Sequence, residues 1–307
     1  AETSEEQETG YLNVALFGLD SREGDLGKGN RSDTMMIASL NKATGEVKLV
    51  SVYRDTLLKL DDGSYNKANA AYAFGGPEGA ISMINRSMDM DISKYVAVNF
   101  NALVDVIDAL GGLDITLTDA EVVHMNNYCV ETSKVTGKKY KKIEPAVAGT
   151  YKLNGVQAVS YARIRYTAGG DYKRTERQRL VLKKTADKLK QQDLATLNKI
   201  IDKVMPEVST SFTTKEILSL ATGAFDYELG ETTGFPFDLE TPEQIPGYSG
   251  SYVIPKGLEE NVIKLHQFLY PNKDYTPTAT VTDISNTLND MTKVYPNTTE
   301  SGTSQNE

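Results

Sequence analysis

The stretch 33–54, DTMMIASLNKATGEVKLVSVYR, decides the fold. DTMMIASL is an apolar run of strand length, NKATG is a turn signal, and EVKLVSVYR places β-branched residues at near-alternate positions. Upstream, YLNVALFGLD (11–20) is a third strand-like run, so three successive strands form a meander. In a meander strand one runs up, strand two down and strand three up. That topology predicts that Asp20, Asp33 and Arg54 meet at one sheet end, with Arg31 beside Asp33 in the connecting loop. Two carboxylates at a sheet edge suit a hard divalent cation such as Mg²⁺, which keeps several waters and takes phosphate oxygens. Taken singly, each aspartate is equally well a turn residue or a helix cap.

Beyond the meander, PEGAISMINRSM has a helix-start proline followed by helically spaced apolar residues, YVAVNF is a strand, and NALVDVIDALGG is a helix stopped by Gly111 and Gly112. LDITL is a further strand, and KLNGVQAVSYA, RLVLKKTADKLKQQ, ATLNKIIDKVM and TKEILSLATGAF are helical by periodicity. Thr213 and Glu216 form a capping box for the last of these. SYVIPK is a returning strand and NVIKLHQFLY a closing helix. The fold class that follows is α/β: a central mixed β-sheet flanked by helices on both faces, a three-layer α/β/α single domain. Its expected bounds are residues 11–275, with 1–10 (AETSEEQETG) a disordered linker and 276–307 a flexible polar tail.

The 307 residues carry a formal net charge of −9 and are 39% hydrophobic, enough for a sizeable core. The acidity and dispersed lysines argue against a nucleic-acid partner. No run spans a bilayer, and residues 1–10 lack a signal peptide's segments. A start without Met inside an acidic linker fits a chain trimmed of an N-terminal segment. Cys129 is the single cysteine, which excludes an intrachain disulfide and a cysteine-rich zinc site.

Against that acidic background, YARIRYTAGGDYKRTERQR (161–179) holds five of the nine arginines: Arg163, Arg165, Arg174, Arg177 and Arg179. Guanidinium forks bind phosphate oxygens bidentately, so an anion is the expected partner; the bland alternative is a solvated helix face with internal pairs to Glu176 and Asp171. If RIR is extended, Arg163 and Arg165 share a side, while Arg174 and Gln178 share a helical face. Helical geometry sets Arg179 about 140° from Arg174, toward solvent, and leaves Arg177 between the two. The loop GDLGKGN is no P-loop, because the first glycine and the Ser or Thr of that motif are missing. His124 and His266 have no His or Cys neighbour in sequence, and no serine lies in a nucleophile elbow. Lys67 and Asn69 fit a helix entry or a reach into the site equally well.

Together GLDSR, RSDTMMIASLNKATGEVKLVSVYRDT, NKANAAYAFGG, NALVDVIDALGGLDITL, LNGVQAVSYARIRY and GDYKRTERQR, in this order, resemble the LytR-CpsA-Psr family of bacterial cell-envelope glycopolymer transferases. The likeness runs from about Val14 to Gln192, and departs at SVYRDT, where Tyr53 stands in place of the family's usual proline. It implies a phosphotransferase that moves a glycopolymer phosphate from a polyprenyl-pyrophosphate carrier to peptidoglycan, at the N-acetylmuramic acid 6-hydroxyl, releasing polyprenyl phosphate. Two alternatives stay beside it: a polyprenyl-pyrophosphate pyrophosphatase and a non-catalytic lipid-pyrophosphate binding protein. By motif position the resemblance implies Asp20 and Asp33 as ligands of Mg²⁺ (or Mn²⁺). It implies Arg54, Arg163, Arg165, Arg174 and Gln178 as the pyrophosphate grip with Arg31 alongside, and Asp171 as the base for the acceptor hydroxyl. It further implies a monomeric ectodomain on the outer face of the cytoplasmic membrane, held by an N-terminal helix that this chain lacks, and an apolar lipid tunnel between sheet and helices. YVAVNF and NALVDVIDALGG would look the same in a tunnel wall as in ordinary core.

Overall fold

A computed structural model describes residues 10–19, 26–223 and 226–297, with the side chain of Ala221 left out. Strands β1 (Tyr11–Leu19), β2 (Ser32–Asn41) and β3 (Glu46–Val52) form the expected antiparallel meander, with Phe17 opposite Met35 and Ile37 opposite Val50. The short strands β4 (Leu57–Lys59) and β5 (Tyr65–Lys67) pair with each other and lead into α1 (Ala68–Met88). Gly76 breaks α1 at φ 69°, a left-handed value that glycine adopts without a Cβ clash, and Pro77 restarts the helix. Then come β6 (Lys94–Asn99), α2 (Phe100–Ala109), β7 (Leu113–Leu117), α3 (Asp119–Thr136), β8 (Gly149–Leu153) and α4 (Gly155–Ala162). The chain continues with α5 (Gly170–Leu189), α6 (Leu194–Val204), β9 (Val208–Thr210), α7 (Thr214–Gly223) and β10 (Glu228–Phe235). Strands β11 (Leu239–Glu240) and β12 (Ile254–Pro255) and helices α8 (Leu258–Leu269) and α9 (Ala279–Thr292) complete it.

The central sheet runs β10-β3-β2-β1-β6-β9 and is mixed, since β6 and β10 join parallel to β1 and β3. LDITL (β7) leaves it to pair with β8, and SYVIPK contributes only the two-residue β12. The Thr213–Glu216 capping box is present, with Glu216 N–H donating to Thr213 Oγ1 and Thr213 N–H to Glu216 Oε2.

Alternation along the strands splits the sheet into two unlike faces. Ala15, Phe17, Leu19, Met35, Ile37 and Val50 pack into a main core with α1, α8 and α9. On the other side, α2, α3 and α4 with β7 and β8 form a separate core around Val104, Ile107, Leu113, Met125 and Val156. Gly155 allows α4 to sit against α2: a Cβ there would lie 2.3 Å from the Val104 carbonyl oxygen. Leu16, Val96 and Val98 on that sheet face are only half-buried, which marks a space between sheet and helices.

The segment 276–307, expected as tail, instead contains α9, whose Val281, Ile284 and Leu288 are buried in the main core. Polar residues between those three positions hid a 3.6-residue apolar stripe. Thr278 caps α9, and Asp89 accepts from the hydroxyl and N–H of Thr278, which fixes the helix start against the end of α1. Leu288→Ala is expected to cost about 2–5 kcal/mol of stability, read as a lower denaturation midpoint, whereas a tail position would be silent.

Candidate active site

At the ends of β2 and β3 the carboxylate of Asp33 and the guanidinium of Arg54 form an ion pair, as the meander predicts. Arg54 Nε lies 3.5 Å from Asp55, and Asp55 in turn pairs with Lys67 Nζ at 2.9 Å. Lys67 therefore does reach the site, from the start of α1, while Asn69 is buried with its N–H on the Arg54 carbonyl. Burial works to depress the Arg54 pKa, but Asp33 and Asp55 outweigh it and the net direction is up. Asp55 was missed in sequence because an aspartate after an arginine at a strand end reads as a turn residue.

From the other side, α5 and the segment before it bring Arg165, Asp171 and Arg174 to the same place. Arg165 Nη2 is 3.9 Å from Asp33 Oδ2 and its Nε 3.5 Å from Asp171; Arg174 Nη2 is 2.9 Å from Asp171 and donates to the Asp33 carbonyl at 3.2 Å. Arg174 is 3% exposed, and burial pushes its guanidinium down to about 10, so it stays charged at neutral pH. Among the described residues, buried Arg165 Nη2 and Arg174 Nε have no hydrogen-bond partner. Buried donors left open cost stability unless a ligand meets them.

Of these groups Asp33, Arg165 and Arg174 line a cavity of about 400 Å³ between the sheet and α2–α5. Leu16, Met36, Val96, Val98, Phe100 and Leu103 make its wall apolar, and Asp33, Arg165, Arg174 and Gln178 make one end polar. The two segments whose sequence did not separate tunnel from core thus line a cavity in part, through Val96, Val98, Phe100 and Leu103.

Other expected site residues fall elsewhere. Arg163 follows α4 in a helical, not extended, conformation, so it does not join Arg165 at the carboxylates. It lies along the cavity wall over the Phe100 ring (4.6 Å), bonded to Glu131 and Thr132 at 2.9 Å each. Arg31 is exposed and lines a separate depression with Lys67 and Phe74. Asp20 lies outside the described residues, so its meeting with Asp33 is left as an expectation. Arg177 is committed to structure: it pairs with Glu121 at 2.9 Å and donates to Ile164 O and Thr167 Oγ1.

Arg179, expected to face solvent, is 9% exposed and donates to Ser51 Oγ of β3 at 2.8 Å. The angle from Arg174 was right but its consequence was not, because α5 is covered by the sheet on one side and by α4 on another. Arg179→Ala is accordingly expected to lower the melting temperature and to leave turnover per folded molecule nearly unchanged. Tyr53, at the position of the family's usual proline, donates its N–H to Phe235 O at 3.0 Å and packs its ring on Tyr172. A proline would lose that bond.

A metal fits this donor set in a limited sense. Asp33 is a partly exposed carboxylate beside the guanidinium groups of Arg54 and Arg165, and Mg²⁺ takes one or two carboxylates together with phosphate oxygens and water. Among the described residues no group of three His, Cys, Asp or Glu side chains converges as a metal cage.

Known proteins resemble this chain in sequence and in fold. Biofilm regulatory protein A of Streptococcus mutans is 33% identical over 212 residues, 65% of this chain and 50% of its own length. The polyisoprenyl-teichoic acid--peptidoglycan teichoic acid transferase TagV of Bacillus subtilis is 28% identical over 271 residues, 82% of this chain and 62% of its own. The chain thus spans between half and two thirds of the length of these relatives. The crystal structure of B. subtilis TagV superposes with a TM-score of 0.66 at 25% identity, over 88% of this chain and 99% of that one. The model of the LytR_cpsA_psr family matches residues 1–229, and the chain belongs to that family.

Proposed function

We propose that this protein transfers a glycopolymer phosphate from a polyprenyl-pyrophosphate carrier to peptidoglycan. The observation that carries the proposal is the apolar cavity of about 400 Å³ ending at Asp33, Arg165, Arg174 and Gln178, a shape suited to an anionic head on a hydrocarbon tail. TagV, whose name records a teichoic acid transferase acting on peptidoglycan, supports the substrate class.

In the proposed reaction the tail lies among Leu16, Val98 and Leu103, and the pyrophosphate meets the open donors of Arg165 and Arg174, with Arg54 beside them. The acceptor hydroxyl oxygen bonds to the sugar-side phosphorus as the bond from that phosphorus to the bridging oxygen breaks. The electron pair leaves with polyprenyl phosphate, and the hydroxyl proton passes to a carboxylate, for which Asp171 is the choice. Such transfers are accelerated chiefly by positioning and by fixed positive charge around oxygens that gain charge. Arg163 shapes the cavity wall and is held there by its bonds to Glu131 and Thr132. Asp33, with Asp20, would hold Mg²⁺, which when bound supplies further neutralisation of the phosphate oxygens. The place of action is the outer face of the bacterial membrane; among the described residues no helix is long and apolar enough to cross a membrane.

Polyprenyl-pyrophosphoryl oligosaccharide, Mg²⁺ and peptidoglycan fragments form the test mixture. A glycan-phosphate-peptidoglycan product with equimolar polyprenyl phosphate is expected. Free sugar phosphate would identify a pyrophosphatase, and unchanged substrate a binding protein. Asp33→Asn is expected to lower Mg²⁺-dependent turnover at least a hundredfold with an unchanged circular dichroism spectrum; wild-type activity in excess chelator would remove the metal from the mechanism.

A further inference from the structure

Lysines, dispersed along most of the chain, are dense in one place that the cavity does not use. KVTGKKYKK (134–142) holds five of them and no carboxylate, in a chain of net charge −9. This stretch is the end of α3 and the start of the segment that turns back along that helix. Ser133 Oγ donates to Lys138 O, Asn126 and Ile143 exchange hydrogen bonds of 3.0 and 3.2 Å, and Ala148 N–H donates to Asp119. Helix α3 and residues 138–148 therefore form one surface. Lys138 is spent on Asp105 at 2.7 Å and Lys142 on Glu144 at 2.6 Å, while Glu131 is taken up by Arg163 at 2.9 Å. Lys134, Lys139 and Lys141 are exposed, and among the described residues their ammonium groups make no ion pair. The carbonyls of Lys139 and Lys141 accept from Asn154 and Gln157, which fixes the backbone of the segment at the start of α4.

Beside this surplus of positive charge lies an apolar stripe. At about 100° per residue, Val123, Asn127, Val130 and Lys134 fall within about 60° of one another on α3. Val123 and Val130 are 45% and 63% exposed, and Val147 on the returning segment is 48% exposed. Tyr128, which lines the cavity, lies about 140–160° around the helix from the two valines. The stripe and the cavity are thus on opposite sides of α3, and a partner seated on the valines leaves the cavity open.

We infer that this face, the outer side of α3 with residues 138–148, docks on the headgroup layer of an anionic lipid bilayer. The inference does not depend on the transfer reaction proposed above. Anionic headgroups meet the unpaired ammonium groups, the valines enter the boundary between headgroups and acyl chains, and the lysine stems bend to keep their charges among the headgroups. A soluble polyanion would use the lysines and gain nothing from the valines. The acidity of the whole chain does not oppose docking, because at physiological ionic strength charges more than about 8 Å apart are largely screened. Asp119, at the opposite end of α3, is about 22 Å from Lys134 along the helix axis.

Flotation of the protein with vesicles of phosphatidylcholine alone, and of equal parts phosphatidylcholine and phosphatidylglycerol, tests the face. Wild-type protein is expected to float with the anionic vesicles only, and less as salt is raised. Each lysine near an anionic surface contributes a factor of about five, so the triple variant Lys134→Gln, Lys139→Gln, Lys141→Gln is expected to bind about a hundredfold more weakly. The same loss of charge at three exposed lysines of other segments, Lys215→Gln, Lys273→Gln, Lys293→Gln, is expected to change binding less than about threefold. Val123→Ser with Val130→Ser is expected to weaken binding about tenfold. All these positions are exposed, so the variants should melt like the wild type. Equal flotation with both vesicles, flotation with neither, or a lysine triple that binds like the control triple overturns the inference. Valine substitutions without effect, together with displacement from the vesicles by soluble polyphosphate at matched phosphate concentration, would make the face a polyanion site and overturn it as well.

Discussion

Replacing Arg174 by alanine is expected to lower turnover at least a hundredfold at matched amounts of folded protein. Its guanidinium is 3% exposed, carries Asp171 at 2.9 Å, and keeps Nε open among the described residues. A charge-assisted contact to a desolvated phosphate contributes about 1.5–3 kcal/mol, and a contact that tightens as charge moves onto the leaving oxygen contributes more. The loss should therefore appear in kcat as well as in KM. Arg174→Ala also leaves Asp171 with Arg165 as its remaining arginine partner, at 3.5 Å. Arg165→Ala should follow within about tenfold of Arg174→Ala. Arg163→Ala should be milder, because Arg163 already spends its donors on Glu131 and Thr132. Steady-state kinetics on the three variants decide the ranking. Arg174→Ala activity within twofold of wild type would show that the cavity end is not where the phosphates sit.

The second large effect is on stability. Arg177 is 6% exposed and binds three groups at once: Glu121 of α3, and the Ile164 carbonyl and Thr167 hydroxyl of the segment between α4 and α5. Burial opposes the charge on Glu121, but hydrogen bonds from Thr118 and Arg177 overcome it and hold its pKa below the ordinary value. Breaking such a buried pair by removing one partner costs about 3–5 kcal/mol, since the other charge is left uncompensated. For a chain of this size that is roughly 6–10 °C in melting temperature. Arg177→Lys should recover little, because a single ammonium cannot make the forked contacts. The sign of the pH dependence follows from the lowered pKa of Glu121. Its contribution is complete above the unfolded carboxylate range and is lost as pH falls through the lower folded pKa. Wild type should therefore lose part of its advantage over Arg177→Ala on acidification, measured as converging melting temperatures. Parallel curves down through that range would contradict the assignment.

Much of this was legible before any coordinates. The meander, and with it the Asp33–Arg54 meeting, follows from strand alternation around NKATG because antiparallel topology alone brings those ends together. The cation-rich stretch 161–179 was recognisable from its concentration against an acidic chain. Which arginine does what was not legible. Arg163, Arg177 and Arg179 differ by the neighbours that α3 and β3 supply, and those neighbours lie 31, 56 and 128 residues away. The cavity was hidden for a related reason: Leu16, Val96 and Val98 would read identically against a tight layer of side chains. Helix α9 was missed because three buried apolar residues among threonines and asparagines make a narrow stripe whose partner surface is assembled from α1 and α8.

The central claim is that one site holds a lipid tail in the cavity and its pyrophosphate at the arginine end. A crystal structure of the protein grown with a polyprenyl-pyrophosphoryl saccharide tests it most directly. The expected result places phosphate oxygens within hydrogen-bond reach, about 2.7–3.2 Å, of Arg165 and Arg174, with the isoprene chain running past Leu16, Val98 and Leu103. A lipid found outside the cavity, or phosphates bound away from both arginines, would contradict the account.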